Sequence, residues 1–381
     1  DTSTANWLNN GSSAVYQNGF PVIFDDSVLS NVAVSLSATL SPSAVIFNNS
    51  VKSYTISGNG IGGACGITMF GDSMVTLNGT NTFTGGTTLN NGTLVLGNGS
   101  ALGTGAVTAN GGTLKWNYVS GNANVANNIV VNGSVTLDTS AGNWTQNGPI
   151  TGSGTITRGT SGNLSLYLAG DNSGFTGTYQ DQNNGNAVTR FSANTAGSAS
   201  ARWIFNQPIL GKASLPGATG TIRFGSFSGT GTLSDGGSGI VNTVEVGALR
   251  LDDTFSGVIG QFNGTIALTK VGTGTMMLLG ANTYTGPNNI NAGKLLITTT
   301  APANGNYTVA NGATLGVTNI TTSSASISNL TLAAGSTLEL MNITSTTTPL
   351  LAANNVAVNG SCTVKISLPG GIALGTYPLV S

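Results

Sequence analysis

Residues 90–96 read NNGTLVL, and the same phrase returns as ANGGTLKW at 109–116 and VNGSVTL at 131–137. It comes back as NAGKLLI at 291–297, ANGATLGV at 310–317, AAGSTLEL at 333–340 and VNGSCTVKI at 358–366. Its first glycine falls at 92, 111 and 133, then at 293, 312, 335 and 360, which are steps of 19 and 22 and then of 19, 23 and 25 residues. A recurring step of this size is the signature of stacked repeats, one coil per phrase. Within the phrase, Asn-Gly or Ala-Gly supplies positive φ for a tight corner. The alternation that follows, Leu94 with Leu96 or Leu338 with Leu340, points one face inward. Asn-Gly is also the strongest short hairpin signal. A meander, however, has no need of a step of about 20 residues that carries a single such phrase. The sequence therefore reads as an all-β parallel β-helix, or β-solenoid. At about 20–25 residues per coil the chain makes about 15–19 coils, a stack about 70–90 Å long at ~4.8 Å per coil.

Composition supports a packed core with an uncharged surface. Only 6% of residues are charged, whereas 39% are apolar, too many for a disordered chain. The surface is polar through Thr, Ser and Asn rather than through charge. The net charge is −1, and the eleven cations are scattered singly from Lys52 to Lys365, which excludes nucleic acid as a partner. No apolar run approaches the ~20 residues of a membrane-spanning helix, so no membrane insertion by this chain is expected. The chain starts without Met and without a signal segment, and it reads as secreted and already processed or trimmed.

Four segments stand out. Residues 1–57 lack the glycine phrase and read as an N-terminal β segment, a cap or subunit contact. Residues 58–177 and 261–381 read as regular solenoid. The stretch 178–260 is less regular, with Arg190, Arg202, Arg223 and Arg250 alongside Trp203, Phe205, Phe224 and Phe227, and longer coils or a protruding loop are expected there.

Two longer segments, DSMVTLNGTNTFTGGTTLNNGTLVLG at 72–97 and GTGTMMLLGANTYTGPNNINAGKLLI at 272–297, share the core G-x-N-T-[YF]-T-G. Gly79, Asn81, Phe83 and Gly85 match Gly280, Asn282, Tyr284 and Gly286 at identical spacing, and LAGDNSGFTGTYQ at 168–180 keeps Phe-Thr-Gly. This pattern resembles the autotransporter-associated (passenger-associated) β-strand repeat of bacterial cell-surface proteins. The resemblance implies a right-handed parallel β-helix outside the cell, with Phe83 and Tyr284 stacked inside the turn in a structural role. Asp1, Asn6, Trp7 and Phe24-Asp25-Asp26 resemble the opening of such proteins, and GTYPLVS at 375–381 resembles a strand that normally continues, so both ends read as cut within a longer precursor.

Candidate chemistry is sparse. The paired acids are Asp25-Asp26 and Asp252-Asp253, and neighbours on a strand face opposite ways, so neither pair is a ready-made catalytic dyad. Arg250 and Asp252 are in phase and read as an exposed ion pair. With no histidine, the usual general base and the commonest metal ligand are missing. The expectation is no enzyme, no metal and no cofactor. Asn-x-Ser/Thr sequons such as those at Asn78 and Asn132 follow automatically from Asn-Gly-Thr/Ser corners. Cys65 and Cys362 lie too many coils apart for an intrachain disulfide; as in-phase neighbours of Ile67 and Val364 they read as buried thiols, a crosslink between subunits being the alternative. Arg202, Trp203, Arg223 and Phe227 form a weak contact surface, able to stack on sugar or simply packed under a longer coil. The function expected is a non-enzymatic extracellular structural rod that self-associates through its solenoid ends into a filament or coat. The alternative is an adhesin or carbohydrate-binding passenger domain contacting surface polysaccharide; a polysaccharide-degrading β-helix enzyme comes third.

Overall fold

The computed structural model describes residues 3–117, 123–159, 164–182, 186–207, 212–300, 303–321, 323–370 and 376–381. Of GTYPLVS, Gly375 lies outside the described residues. The chain is a parallel β-solenoid of about 15 turns. Its described residues contain no α-helix, only a short 3-10 turn at Asn194–Ala196. It divides into two compact units, Asp1–Ala187 and Val188–Ser381.

The first unit opens with an antiparallel hairpin, Trp7–Asn9 against Ser12–Ala14. Its two turn residues, Asn10 and Gly11, have φ of 50° and 80°, as a tight two-residue hairpin turn requires. The hairpin sets Trp7 edge-on to Phe24 at 5.6 Å, and Phe24 stacks on Phe47 of the next coil at 4.8 Å. Every described strand pairing that follows is parallel. A seven-stranded sheet runs from Val22–Asp25 through Val45–Asn48, Ile67–Met69, Thr87–Leu89, Val107–Ala109 and Ile129–Val131 to Ile150–Gly152. A second ladder stacks Met74–Leu77, Thr93–Leu96, Thr113–Trp116, Ser134–Asp138, Thr155–Gly159 and Thr178–Asp181.

In-register pairing makes columns of like residues. Val75, Leu94, Leu114 and Leu137 form one inward column, each at most 1% exposed. Outward, Asn110 donates from Nδ2 to Asn90 Oδ1 at 2.9 Å, and Asn132 donates to Asn110 Oδ1 at 3.0 Å. The Asn132 sequon thus contributes its amide to an asparagine ladder.

The second unit repeats this logic with longer strands. Ser198–Phe205 carries a register irregularity between Ser198 and Arg202, and Gly220–Gly229 is long enough to pair with both Val241–Val246 and, through Gly229, Asp253–Phe255. Regular ladders follow, Thr275–Leu278, Lys294–Thr298, Thr314–Thr318, Thr337–Met341 and Thr363–Ser367, around the inward column Met276, Leu295, Leu315, Leu338. On Thr363–Ser367 the inward positions Val364 and Ile366 are each 51% exposed, because no described strand stacks on their far side. Cys362 is accordingly only half-buried, contrary to the expectation of a buried thiol, whereas Cys65 is buried and its thiol is pushed up by desolvation. Val380 forms an isolated parallel bridge with Leu351.

The glycine corner differs in one respect from its sequence reading. Positive φ is found at Gly92, Gly293, Gly312, Gly335 and Gly360, but in ANGGTLKW it passes from Gly111 to Gly112, and Gly133 is not left-handed. At Gly133 the demand is steric instead. A Cβ there would sit 1.8 Å from the carbonyl oxygen of Asn110 on the preceding coil. Gly133→Ala is therefore expected to destabilise the chain by more than about 1 kcal/mol. Gly159→Ala, whose Cβ would make only ordinary contacts at 3.8 Å, is expected to cost far less. Urea denaturation of the two variants checks this, and equal midpoints would contradict it.

Candidate functional site

The repeat motif builds a coil-to-coil clamp. Asn81 is 3% exposed; its Oδ1 accepts from the backbone N–H of Ile61 on the preceding coil at 2.7 Å. Its Nδ2 donates to the carbonyl of Ala101 on the following coil at 2.6 Å. One amide, with a donor and an acceptor on the same planar group, thus ties three coils together. Asn282 occupies the equivalent position, accepting from Ile259 N at 2.8 Å. In the degenerate copy, Asn172 accepts from Ile150 N at 2.7 Å. Sequence spacing missed Asn172 because Gly174 adds a residue between Ser173 and Phe175; the Asp-Asn-Ser run before Phe-Thr-Gly was the available signal.

Phe83, Phe175 and Tyr284 are each at most 1% exposed, so the motif aromatic lies inside the turn. The Tyr284 hydroxyl donates to Asn288 Oδ1 at 2.5 Å. The motif glycines serve close approach. A Cβ at Gly85 would lie 2.6 Å from Cys65 backbone atoms, and one at Gly286 would lie 2.2 Å from the Ile266 carbonyl. At Gly280 it would lie 1.8 Å from the Gly257 carbonyl, and at Gly79 it would lie 3.0 Å from Gly60 Cα.

The acids serve as caps for the backbone. Asp26 accepts from the N–H groups of Ser50, Val51 and Lys52 at 2.7–3.0 Å, which holds its carboxyl below the usual range. Asp25 caps Ser27 N, and Asp252 caps Thr275 N at 2.6 Å. Asp253, 8% exposed, accepts from Ser226 Oγ at 2.6 Å and Phe227 N at 3.1 Å. Arg250 and Asp252 form no ion pair. Arg250 sits at φ 60° in a turn after Val241–Val246, which takes the two residues off a common strand face. Among the described residues no three His, Cys, Asp or Glu side chains are grouped to hold a metal ion. A cleft of about 480 Å³ opens at the N-terminal hairpin, lined by Trp7, Leu8, Tyr16, Phe20 and Val22 among others, without a charged group.

The expected contact surface separates into two halves. Trp203 and Phe227 are 1% and 0% exposed and belong to an aromatic core with Phe191, Phe205, Phe224 and Phe255; the Phe227 and Phe255 rings are 4.4 Å apart. They are not available to stack on a ligand, since the strand alternation that aims them inward aims their neighbours outward. Arg202 and Arg223 are exposed, and Arg223 Nε lies 3.2 Å from Glu245 Oε1.

Three buried charged residues, Arg158, Asp181 and Lys270, had no sequence signal. The inward column of leucines continues from Leu137 to Arg158 and Asp181. These two form an ion pair at 3.1 Å with both side chains 0% exposed, and Arg158 Nη2 also donates to the Leu164 carbonyl. Lys270, 1% exposed, donates from Nζ to the carbonyls of Val271, Gly272 and Ala292. None of the three breaks the strand alternation, so periodicity alone could not mark them as interior.

Stacked parallel coils tied by an asparagine clamp define a class, the repeat β-solenoid. Residues 67–96 and 268–297 match the passenger-associated-transport-repeat family. The chain is 34% identical over 256 residues to the BmaC autotransporter adhesin of Brucella suis biovar 1 (strain 1330), an alignment covering 65% of this chain and 7% of that protein. No solved structure matches. The chain thus carries two copies of the passenger-associated-transport repeat and spans a small fraction of the length of the relative it matches.

Two outcomes are expected. Asn81→Ala strands the buried Ile61 N–H and Ala101 carbonyl, so a loss of about 2–4 kcal/mol should appear in equilibrium unfolding; an unchanged midpoint would contradict the clamp. Stability should also follow Lys270. Burial pulls its ammonium down to about 8 from 10.5, opposed by Asp253 and Asp252. Between those values the unfolded chain carries a proton that the folded chain lacks, so stability rises with pH by about 1.4 kcal/mol per unit. Desolvation raises the buried phenols Tyr284 and Tyr307, so the folded chain keeps protons that the unfolded chain loses above about pH 10, and stability falls there. Urea titrations from about pH 8 to about pH 11 should show this rise and fall, and Lys270→Met should abolish the rise.

Proposed function

We propose that this chain is part of an adhesin-like passenger of the bacterial cell surface, a β-solenoid that works by presenting outward faces for binding rather than by catalysis. The observation that carries the reading is the 34% identity over 256 residues to an autotransporter adhesin, joined with the two passenger-associated repeats. The alignment spans 7% of that adhesin's length, so the whole protein's partners lie beyond what the similarity conveys. The disposition of the acids supports a binding role. Asp26, Asp235, Asp252 and Asp253 hold backbone N–H groups, and a carboxylate so employed is a poor general acid or base. An extracellular or cell-surface location follows from the same reading.

A second reading, end-to-end self-association into a filament or coat, is favoured by the exposed apolar residues Leu8 and Phe20 on the N-terminal segment and Val364 and Ile366 on Thr363–Ser367. Two measurements separate the readings. A non-adherent bacterium displaying the chain should gain attachment to cells or polysaccharide-coated surfaces relative to one displaying an unrelated β-solenoid, and no gain would overturn the adhesin reading. Negative-stain microscopy of the purified chain showing only dispersed monomers would overturn the filament reading.

A further inference from the structure

In this nearly uncharged chain, three arginines face outward on successive coils of the second unit. Arg202 lies on Ser198–Phe205 and is in register with Ser226 of the next strand. Arg223 lies on that next strand, Gly220–Gly229, in register with Glu245. Arg250 belongs to the following coil, in a turn that the Leu249 N–H anchors to the Gly225 carbonyl at 2.9 Å, one residue from Ser226. The backbone of Arg202 and the turn holding Arg250 therefore lie on the coils before and after Ser226, which is itself buried and donates to Asp253. All three arginines are exposed, and the Arg223 side chain is 55% accessible.

The acids of the same stretch do not balance them. Asp235 and Asp253 are 7% and 8% exposed and are occupied by backbone N–H groups. Asp252 is exposed but caps Thr275 N. Glu245 meets Arg223 through its Nε. Neither Arg202 nor Arg250 has an ion-pair partner among the described residues. Their guanidinium forks are thus turned to solvent while the nearby negative charge is largely turned inward.

We infer that Arg202, Arg223 and Arg250 form a binding stripe for an anionic polysaccharide, a polymer of uronic-acid or sulfated sugars lying along the coil-stacking direction. This rests on the adhesin-like reading and gives its ligand a charge. Guanidinium groups pair with carboxylate and sulfate oxygens through two parallel N–H donors, a geometry that an ammonium lacks. The three arginines lie on successive coils, about 4.8 Å apart along the stack, with Arg223 offset by three residues along its strand from Ser226, the register partner of Arg202, and such a staggered array suits a polymer with sparse, spaced charge. They are too few for duplex DNA, which carries a charge every ~1.7 Å. Thr221 and Thr243, partly exposed and paired across adjacent strands, supply hydroxyls, and Leu251, 38% exposed beside Arg250, supplies an apolar contact for a sugar ring. The rings of Trp203 and Phe227 stay in the core, so binding depends on charge and hydroxyls rather than on aromatic stacking.

The test is affinity electrophoresis of the full chain through gels containing polygalacturonate, heparin or neutral dextran. Retardation by the two polyanions and not by dextran is expected. Arg202→Gln/Arg250→Gln should weaken it about tenfold or more. Lys52→Gln/Lys365→Gln removes the same charge elsewhere and should leave it nearly unchanged. Arg202→Lys/Arg250→Lys keeps the charge and loses the fork; it should bind measurably more weakly than the native chain, and it guards against a misfolded glutamine variant. The proposal is overturned if the native chain is not retarded by either polyanion, if dextran retards it equally, or if both glutamine pairs weaken binding alike. It is also overturned if duplex DNA binds more tightly than the polysaccharides. If displayed chains fail to adhere while purified chain is still retarded through the stripe, the adhesin reading fails and the stripe stands. Adhesion that persists in the arginine variants gives the opposite result.

Discussion

The backbone hydrogen bond between one coil and the next governs the rest of the molecule. Parallel, in-register pairing stacks each residue on its counterpart one coil away, at a rise of about 4.8 Å. Whatever occupies a position must therefore tolerate its own kind, or a complement, directly above and below it. Leucine above leucine fills the core, and asparagine above asparagine forms a ladder from Asn90 to Asn132. Where the corner draws coils too close for any side chain, glycine stacks on glycine. In the column Gly231, Gly257, Gly280, a Cβ on each later member would lie 1.7–1.8 Å from the carbonyl oxygen of the one before.

The same constraint explains how so few charges are used. A corner leaves backbone N–H groups without a ladder partner, and a buried donor without an acceptor is costly. Asp26 and Asp235 answer that demand from neighbouring coils, and the motif asparagines answer it with an uncharged amide. Arg158 and Asp181 are a different case. They occupy consecutive places in an otherwise apolar column, so each supplies the countercharge that the other needs once out of water.

Legibility from sequence followed this physics. The parallel solenoid was readable because stacking imposes a period, and the glycine phrase records it from Gly92 to Gly360. The motif residues Asn81, Phe83, Asn282 and Tyr284 were readable as a repeated pattern, although the clamp made by the asparagine amide was not, since spacing says nothing about which coil a side chain reaches. Trp203 and Phe227 were ambiguous for a related reason. An aromatic in an alternating strand reads alike as a core residue or as a contact until the phase of its neighbours is known. Cys362 is inward in phase yet half-buried, because strand phase encodes direction and not whether a further strand covers that face.

By itself, then, the sequence determined the class of fold, the approximate number of coils and the repeated corner, all of which depend on local turn chemistry and periodicity. Only the tertiary structure decided which glycines serve a left-handed turn and which serve close approach, because that depends on the carbonyl of another coil. It likewise decided that Arg158, Asp181 and Lys270 lie inside while Arg202, Arg223 and Arg250 lie outside. Burial of a long charged side chain is set by partners that stacking delivers from distant positions in the chain, and no local pattern encodes them.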